Sequence, residues 1–409
     1  MKKCSLFWRS LFWLGLGALS AYVGLPYLLV QVGNLSLMRR GRTAGTQIAL
    51  TFDDGPDPET TPEVLGALWE ANVRATFFVL GEQAEAHPDL VRQILEEGHE
   101  VASHGFSHRH AWGRFPWSIG RDLKRSMNVL REVTGRDARF FRPPHGAYTL
   151  ASLLALRNAK VRGAHWTVEA HDWHPDFTPA RVTGRVLSHV RPGSVIVMHD
   201  AGPGAAKTVE ALPKLLSELK TRGYEIVPLG ELPGLRPERP RDLVARGMAA
   251  FDRAYARAEG ISPVGNTASS LLRAGLAPFP VEGYPEFARG ETLIEFHIDS
   301  ERLVNSAPRP LHTIRLVRSS LREFAREVEA RPEWREARGV FSIGPFGEIL
   351  TSLGFQTRDL PAAQRRRLSR WSAFLHWAYS GEKVSGIKGR EARLGLLTRE
   401  EFLRKYGPK

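Results

Sequence analysis

The feature that most constrains the fold of this chain is a regular alternation of short apolar runs and amphipathic segments between Gln47 and Gly230. Apolar runs of this length are typical of buried β-strands, and the amphipathic segments between them are typical of helices. The predicted strands are Ile48–Phe52, Ala75–Leu80, Glu100–Ser103, Ala138–Phe141, Gly163–Val168, Ser194–Met198 and Glu225–Pro228. Strands that alternate with helices predict a parallel α/β fold, but the periodicity leaves open whether the sheet closes into a barrel.

An uncharged segment, Ser10–Met38, precedes the alternating region and is rich in Leu, Gly, Val and aromatic residues. It is longer than the roughly 20 apolar residues that cross a bilayer. Residues 1–42 are therefore predicted to be a membrane anchor or a long signal peptide. We favour an uncleaved anchor because no clear cleavage site of small residues ends the run. Basic residues on both sides of the run indicate its orientation only weakly, namely Lys2, Lys3, Arg9, Arg39, Arg40 and Arg42.

The chain is strongly basic, with a formal net charge of +13. Such a charge favours anionic partners, but a solvated basic surface is the default interpretation, since charge alone does not identify a ligand. No zinc-finger spacing, phosphate-binding loop or aromatic RNA motif accompanies the charge, so we predict no nucleic-acid partner. The single cysteine, Cys4, excludes an internal disulfide.

A proline-rich stretch, "ELPGLRPERPRD" at 231–242, predicts a linker between a first domain at 45–230 and a second at 243–409. The second domain is predicted to be α+β, with a strand at Glu291–Asp299 and helices at Pro310–Ala330 and Ala362–Tyr379. His297 lies in that strand and is interpreted as a structural histidine. The basic segment Ala363–Trp371 is interpreted as a solvated helix face, with anionic lipid or wall polymer as the alternative.

Polar residues follow most of the predicted strands of the first domain. In parallel α/β folds the carboxyl ends of the strands meet at one edge, where active sites lie. We therefore expect one site to collect the residues that follow five strands, namely Asp53, Asp54, His104, His108, Arg142, Asp172, Trp173, His199 and Asp200.

Three of these residues suit a divalent metal ion. His104 and His108 are separated by three residues in "SHGFSH", and Asp54 supplies a carboxylate from another strand end. Two histidines and one carboxylate leave coordination positions open for water and substrate. An H-x-x-x-H pattern alone often arises by chance, but its pairing with "DD" makes a metal site the favoured interpretation.

The remaining polar residues suit proton transfer. Asp53 is placed to act as a general base, and His199 as a general acid. Asp172 can fix the charge state of His199, and Arg142 can orient Asp53 by a charge-assisted hydrogen bond. The alternative for Arg142 and Asp172 is a structural ion pair across the mouth of the fold.

The order of the motifs then carries a family resemblance. "TFDDGP", "H-x-x-x-H", "RPP-x-G", "DW" and "MHD" between Thr46 and Gly230 resemble the polysaccharide deacetylases of carbohydrate esterase family 4. The resemblance implies a deformed (β/α)7 barrel with a bound divalent metal, zinc first and cobalt or nickel as alternatives. It also implies the assignments made above: Asp53 as base, Asp54, His104 and His108 as metal ligands, Arg142, Asp172 and His199 as catalytic residues.

The resemblance adds a substrate-binding set. Trp173 and Val197 look like the apolar walls of an acetyl-methyl pocket, and His145 occupies the tyrosine position of "RPPYG". Tyr148 is expected to stack on sugars, as are Trp112 and Trp166, with core packing as the alternative for each aromatic residue. Gly105, where the family usually has Ser or Thr, puts one supporting hydrogen bond in doubt.

The function implied is metal-dependent removal of N-acetyl groups from amino sugars. With an anchor, the substrate is expected to be a cell-envelope polysaccharide, first peptidoglycan, and the protein a single-pass cell-membrane protein whose catalytic domain is extracytoplasmic. An O-acetyl esterase on acetylated glycan and a non-catalytic glycan-binding envelope protein are the alternatives. The segment "EFHID" at Glu295–Asp299 and the "SERL" after it faintly resemble an accessory domain of some bacterial members. The sequence does not indicate the oligomeric state.

Overall fold

A computed structural model of the protein describes residues 13–17, 19–43, 45–265, 270–299, 310–344, 347–380 and 392–408. Several predictions from the sequence fall on residues outside these ranges, namely those for Lys2, Lys3, Cys4, Arg9 and the "SERL" segment at 300–303. The described residues form two compact units. Unit 1 contains those up to Arg42 and Thr46–Arg239, and unit 2 those of Thr43–Gly45 and Pro240–Lys409.

Unit 1 is built on a parallel sheet with helices between its strands. Its strands are β1 Gln47–Asp53, β2 Thr76–Val79, β3 Glu100–Ser103, β4 Phe140–Phe141, β5 Arg162–Gly163, β6 Val168–Glu169, β7 Val195–His199 and β8 Glu225–Val227. Its helices are α1 Thr60–Glu70, α2 Gly81–Ala86, α3 Pro88–Glu96, α4 Pro116–Thr134, α5 Leu150–Ala159, α6 Pro179–His189 and α7 Ala205–Thr221. The strand order is β5-β4-β3-β2-β1-β7-β6, with β8 paired to β1. The predicted parallel α/β architecture is confirmed.

The two edge strands explain how far the sheet curls. β5 and β6 are separated by only Ala164–Thr167, yet they lie at opposite ends of the strand order. The sheet must therefore curl until its edges approach each other, which gives a deformed half-barrel. The prediction of one continuous strand at Gly163–Val168 is wrong for the same reason. Its first part pairs with β4 and its last part with β7.

The segment at 35–41, which we call the strap, forms backbone hydrogen bonds with the end of β5 and with the residues just before β7. The amide of Met38 donates to the carbonyl of Gly163, and the amide of Gly41 donates to the carbonyl of Gly193. The side chains of Leu37 and Met38 are buried, and Met38 packs in a cluster with residues of β1, β2, β3, β4 and β7. The strap is thus an integral part of the core, because burial of two large apolar side chains contributes several kcal/mol, about 1.5–3 each.

An apolar helix precedes the strap. Trp13–Val30 is long and apolar enough to cross a membrane by length and composition, a test that signal sequences also pass. Most of its large apolar side chains are exposed, as expected for a helix that is not part of a protein core. The anchor therefore stays a prediction.

Unit 2 has a six-stranded mixed sheet in the order β13-β14-β12-β11-β10-β9. Its strands are β9 Ser262–Pro263, β10 Leu272–Pro278, β11 Thr292–Ile298, β12 Gly339–Gly344, β13 Gln356–Asp359 and β14 Arg393–Thr398. Its helices are α8 Pro240–Ala258, α9 Pro310–Ala330, α10 Gly347–Ser352, α11 Ala362–Ser380 and α12 Arg399–Tyr406. An aromatic core that includes Phe296, Phe324 and Phe402 fills this unit, so it is an α+β fold as predicted. His297 on β11 is partly buried beside Glu295.

Candidate active site

The register of the sheet brings the predicted site residues to one edge. Asp53, at the end of β1, is the direct neighbour of His199 at the end of β7. On the other side β2 separates β1 from β3, and His104 immediately follows β3. Because all these strands are parallel, their last residues line the same end of the half-barrel.

Three predicted ligands converge within this edge. The Nε2 atoms of His104 and His108 lie 3.2 Å and 3.1 Å from Oδ1 of Asp54. One ligand atom from each of the three residues lies within 4.8 Å of the others. Oδ1 of Asp54 is buried and makes no hydrogen bond, which is costly for an ionised oxygen that has no cation beside it. The set of two imidazoles and one carboxylate fits a divalent metal.

Electrostatics favour an ionised carboxylate at this point. Burial raises the pKa of Asp54, but the neighbouring His104 and His108 outweigh burial and hold that pKa far below its ordinary value. The same contact with Asp54 raises the pKa of His108, although burial opposes the shift. A proton and a metal ion therefore compete for the imidazole of His108.

A buried acid supports the turn that presents Asp54. Asp54 has a positive φ of 81°, and the next peptide, Gly55–Pro56, is cis. A Cβ at Gly55 would overlap the carboxylate of Asp200, which also accepts a hydrogen bond of 2.6 Å from the hydroxyl of Thr61. Burial, with the charges of Asp54 and Asp53, raises the pKa of Asp200 to about 7. The sequence indicated Asp200 only as a strand-end residue and gave no role for it.

Asp53 is held by Arg142. The guanidinium donates to Oδ1 of Asp53 at 2.6 Å and to the hydroxyl of Thr51 at 2.9 Å. It is fully buried and lies 4.0 Å from the centre of the Phe78 ring. An Arg without solvent and with a planar contact on one face has few alternative positions, so the orientation of the Asp53 carboxylate is fixed.

His199 is held by Asp172 in the same manner. Nδ1 of His199 lies 2.9 Å from Oδ1 of Asp172, whose Oδ2 accepts from the backbone N–H of His199 at 2.7 Å. The hydroxyl of Thr208 donates to the same Oδ2 at 2.7 Å. Burial lowers the pKa of His199, but the hydrogen bond to Asp172 and the nearby carboxylates outweigh burial and raise that pKa to about 9. Thr208 lies inside α7, where no sequence signal distinguished it.

Two predicted apolar walls lie near His199. Val197 is two residues before it on β7, hence on the same face of the strand, and is buried. Trp173 is half-exposed, and its indole N–H donates to Glu169 at 3.0 Å, which fixes the ring plane. Their predicted role in an acetyl-methyl pocket stays a prediction.

A cluster of imidazoles lies beside Asp54, His104 and His108, which we call the metal-capable set. His145 has a positive φ of 59°, and its ring lies 4.6 Å from that of His108 and 5.1 Å from that of His110. Burial and the neighbouring imidazoles lower the pKa of His145. The ring of His145 is exposed, and its predicted contact with a substrate stays a prediction. His110 was not predicted from the sequence.

The prediction that Tyr148 stacks on sugars is wrong. Its ring is completely buried, and its hydroxyl donates to the carbonyl of Ala164 at 2.8 Å. Burial raises its pKa, as expected for a phenol without access to water. Trp166 is only partly exposed because it stacks on His165 and packs against the barrel core, whereas Trp112 is exposed.

Comparison with known proteins explains why these motifs occur together. Residues 40–164 match the family model described as polysaccharide deacetylase. A chitooligosaccharide deacetylase of Bradyrhizobium is 34% identical over 205 residues, which cover 47% of this chain and 93% of that relative. The chain belongs to the polysaccharide deacetylase family. The relatives named as N-acetylglucosamine or chitooligosaccharide deacetylases are hydrolases that act on carbon–nitrogen bonds.

This chain is also similar to two peptidoglycan deacetylases. A peptidoglycan-N-acetylglucosamine deacetylase of Bacillus cereus is 36% identical over 184 residues. The match covers 45% of this chain and 66% of that relative, just under two thirds of its length. The crystal structure of the Bc1960 peptidoglycan N-acetylglucosamine deacetylase shares 33% identity, with a TM-score of 0.48, over 51% of this chain and 98% of that one. Residues 242–406 match a separate model, the YkoP domain.

Proposed function

We propose that this chain is a metal-dependent N-deacetylase of a cell-envelope polysaccharide, with peptidoglycan as its first candidate substrate. The observation that carries the proposal is that two proton-transfer groups, each held by an ionic partner, lie at the same strand edge as Asp54, His104 and His108. Asp53 is held by Arg142, His199 is held by Asp172, and Asp54 lies beside them with the two histidines. The peptidoglycan and chitooligosaccharide deacetylases among its relatives support the reaction class and the polymeric substrate.

A divalent cation held by Asp54, His104 and His108 would supply positive charge to polarise the acetyl carbonyl and to acidify a water molecule. We propose zinc, with cobalt and nickel as alternatives, because a set of two imidazoles and one carboxylate suits all three.

Asp53 acts as the general base in this proposal. Its carboxylate is paired with the Arg142 guanidinium, which orients it to accept a proton from water as that water attacks the acetyl carbon. Arg142 does not leave this pair during the reaction, because the guanidinium is buried and has no other carboxylate partner among its hydrogen bonds. Its role is to position Asp53.

His199 acts as the general acid. Its pKa of about 9 keeps the ring protonated at neutral pH, so it can donate a proton to the sugar nitrogen as the carbon–nitrogen bond breaks. Nδ1 is occupied by Asp172, which leaves Nε2 as the donor. The products are acetate and a free amino sugar, and one proton has moved from water to Asp53 and one from His199 to nitrogen.

The remaining proposed contacts concern the substrate. Trp173 and Val197 would enclose the acetyl methyl group, and His145 would contact the sugar from the rim. Membrane attachment through Trp13–Val30, with the catalytic unit on the extracytoplasmic side, would keep the enzyme beside the cell envelope.

The test measures acetate release from peptidoglycan, chitooligosaccharide and acetylxylan by the full chain in detergent. We expect release from the N-acetylated glycans, loss of release on adding a chelator, and recovery on adding zinc. Asp53→Asn should remove activity while leaving bound metal unchanged. The Asn oxygen still accepts from Arg142, so the variant should fold. Wild-type activity in Asp53→Asn, or activity that resists the chelator, would contradict the mechanism.

The substrate panel also separates the alternatives. Release from acetylxylan alone would favour an O-acetyl esterase. No release from any substrate by a folded, zinc-loaded chain would favour a glycan-binding protein. Glu218→Gln, which changes a surface ion pair with Arg222 at the end of α7, provides a control that should retain most of the activity.

A further inference from the structure

We propose that the catalytic unit is seated in the lipid headgroup region of the membrane through an exposed aromatic and aliphatic surface, which we call the apron. It consists of Trp112, Phe115, Trp117, Leu150 and Leu154. The proposal rests on the proposed membrane attachment. It adds that the catalytic unit itself binds lipid, instead of being connected to the membrane through the N-terminal helix alone.

The apron is continuous because the elements that carry it pack together. A small buried cluster of Ala111, Ile119 and Ala147 joins the turn before α4, the first part of α4, and the start of α5. The five apron side chains project outward from these elements and are exposed, with Phe115 and Trp117 67% and 62% accessible. These two rings stack on each other at 4.7 Å with nearly parallel planes. Several large aromatic rings that are exposed to solvent and adjacent to one another are typical of an interaction surface.

The apolar helix lies on the same side of the unit. Its Tyr27 ring meets the Trp112 ring edge to face at 5.3 Å, and its segment Ser20–Gly24 contacts α5. Val30 is buried, and the strap follows within a few residues. Because Tyr27 and Ser20–Gly24 contact the catalytic unit, a helix that enters the bilayer through the residues before Ser20 brings this face of the unit to the membrane surface.

Charge identifies the occupant. The two segments that carry the apron, 109–121 and 147–162, contain no Asp or Glu. They contain six cationic residues, namely Arg109, Arg114, Arg121, Arg157, Lys160 and Arg162. Arg114 forms an ion pair with the adjoining Asp122 at 2.9 Å, and the other five cations are exposed. Aromatic and Leu side chains flanked by an excess of cations over acids are typical of surfaces that lie in the interface of an anionic bilayer. We therefore commit to anionic phospholipid as the partner.

The experiment measures immersion depth by spin labelling. The full chain carrying Cys4→Ser and Trp117→Cys is labelled with a nitroxide and placed in nanodiscs of equal parts phosphatidylethanolamine and phosphatidylglycerol. The label at 117 should gain accessibility to oxygen and lose accessibility to a water-soluble nickel complex. The matched control is Trp69→Cys, because Trp69 is also strongly exposed but lies on α1, which is on the far side of β2 and β3 from α5. Its label should remain water-accessible.

The outcomes separate this proposal from others. Equal water accessibility at 117 and 69 would overturn it, as would dipolar broadening between labels at 117, which would assign the apron to contact between two copies. Protection of label 117 by chitooligosaccharide in detergent, without protection by lipid, would assign the apron to glycan. Circular dichroism verifies that each variant is folded. As a second measurement, brominated lipid should quench the tryptophan fluorescence of the unlabelled protein, and this quenching should be smaller in Trp117→Phe. None of these readouts uses turnover, so failure of the proposed reaction leaves the result intact.

Discussion

Asp53 and Asp54 are neighbours in the chain, yet their carboxylates have different partners. Asp53 ends a strand in extended backbone and meets the buried Arg142. Asp54 has left-handed backbone, which turns its carboxylate toward His104 and His108. A non-glycine residue at such a φ costs on the order of 1 kcal/mol, which the surrounding contacts must offset. The proposed division into base and metal ligand follows from this change of backbone direction.

Asp172→Asn tests how the acid is tuned. Because Asp172 raises the pKa of His199 above its ordinary value, removing the charge should lower that pKa and shift the alkaline limb of the pH–rate profile to lower pH. We expect kcat to fall by about 10²–10⁴-fold near neutral pH, the range for a general acid. The measurement is acetate release against pH. An alkaline limb that does not move would contradict the role of Asp172.

The same pair affects stability with a defined sign. A histidine whose folded pKa lies above its unfolded value stabilises the fold fully below pH about 6.5, and this contribution is lost as the pH rises through about 9. Chemical denaturation of the wild type and Asp172→Asn, both chelated, should therefore differ more at pH 6 than at pH 10. A difference that grows with pH would contradict this assignment.

Metal affinity should also depend on pH. Asp54 raises the pKa of His108, and a protonated imidazole cannot bind a cation. Zinc affinity of the full chain, measured by competition with a fluorescent chelator, should fall as the pH falls through the His108 pKa, and binding should release protons. His110→Ala, which changes a neighbouring imidazole outside the ligand set, should retain this dependence. A pH-independent affinity would count against His108 as a ligand.

At the scale of elements, strand and helix positions in unit 1 were largely predictable because each buries one regular apolar pattern. The polar strand ends were predictable because parallel strands end at one edge. The break between β5 and β6 was not predictable. The amides of Ala164 and Thr167 donate to different strands, and the periodicity of a sequence does not indicate which strands will pair. The prediction for Tyr148 was wrong because an aromatic residue near a site can either contact substrate or fill the core. The burial of its hydroxyl against the carbonyls of Phe141 and Ala164 shows that it fills the core, and the sequence does not reveal these contacts.

The strap supplies an element-scale prediction. Leu37 is almost completely buried, and a Cβ at Gly163 would already crowd its Cδ2 at 2.7 Å. Leu37→Ala should lower the free energy of unfolding of unit 1 by about 2–5 kcal/mol, the usual cost of a core cavity. The measurement is denaturant unfolding in detergent. Leu154→Ala, at an exposed position, is the control and should change stability by less than about 0.5 kcal/mol. Equal effects would show that the strap is not part of the core.

At the scale of the whole molecule, the chain combines two units with separate cores. The barrel core of unit 1 contains Phe78 and Phe140, whereas Phe324 and Phe402 belong to the core of unit 2. The metal-capable set lies entirely in unit 1. Each unit matches its own family model. Among the described residues, the side chains of each of these two cores come from one unit. We therefore expect a ligand that binds unit 1 to stabilise the core of unit 1.

Calorimetry tests this separation. Two cores of this kind should unfold in two transitions, and zinc should shift only the one that belongs to unit 1. At a free zinc concentration of about 100 times Kd, the stabilisation is about 2.7 kcal/mol, which corresponds to a shift of about 5–10 °C for a unit of this size. His104→Ala should cancel the shift and leave the second transition where it was. A single transition, or an equal shift of both by zinc, would mean that the two units unfold cooperatively and that the metal stabilises the chain as one body.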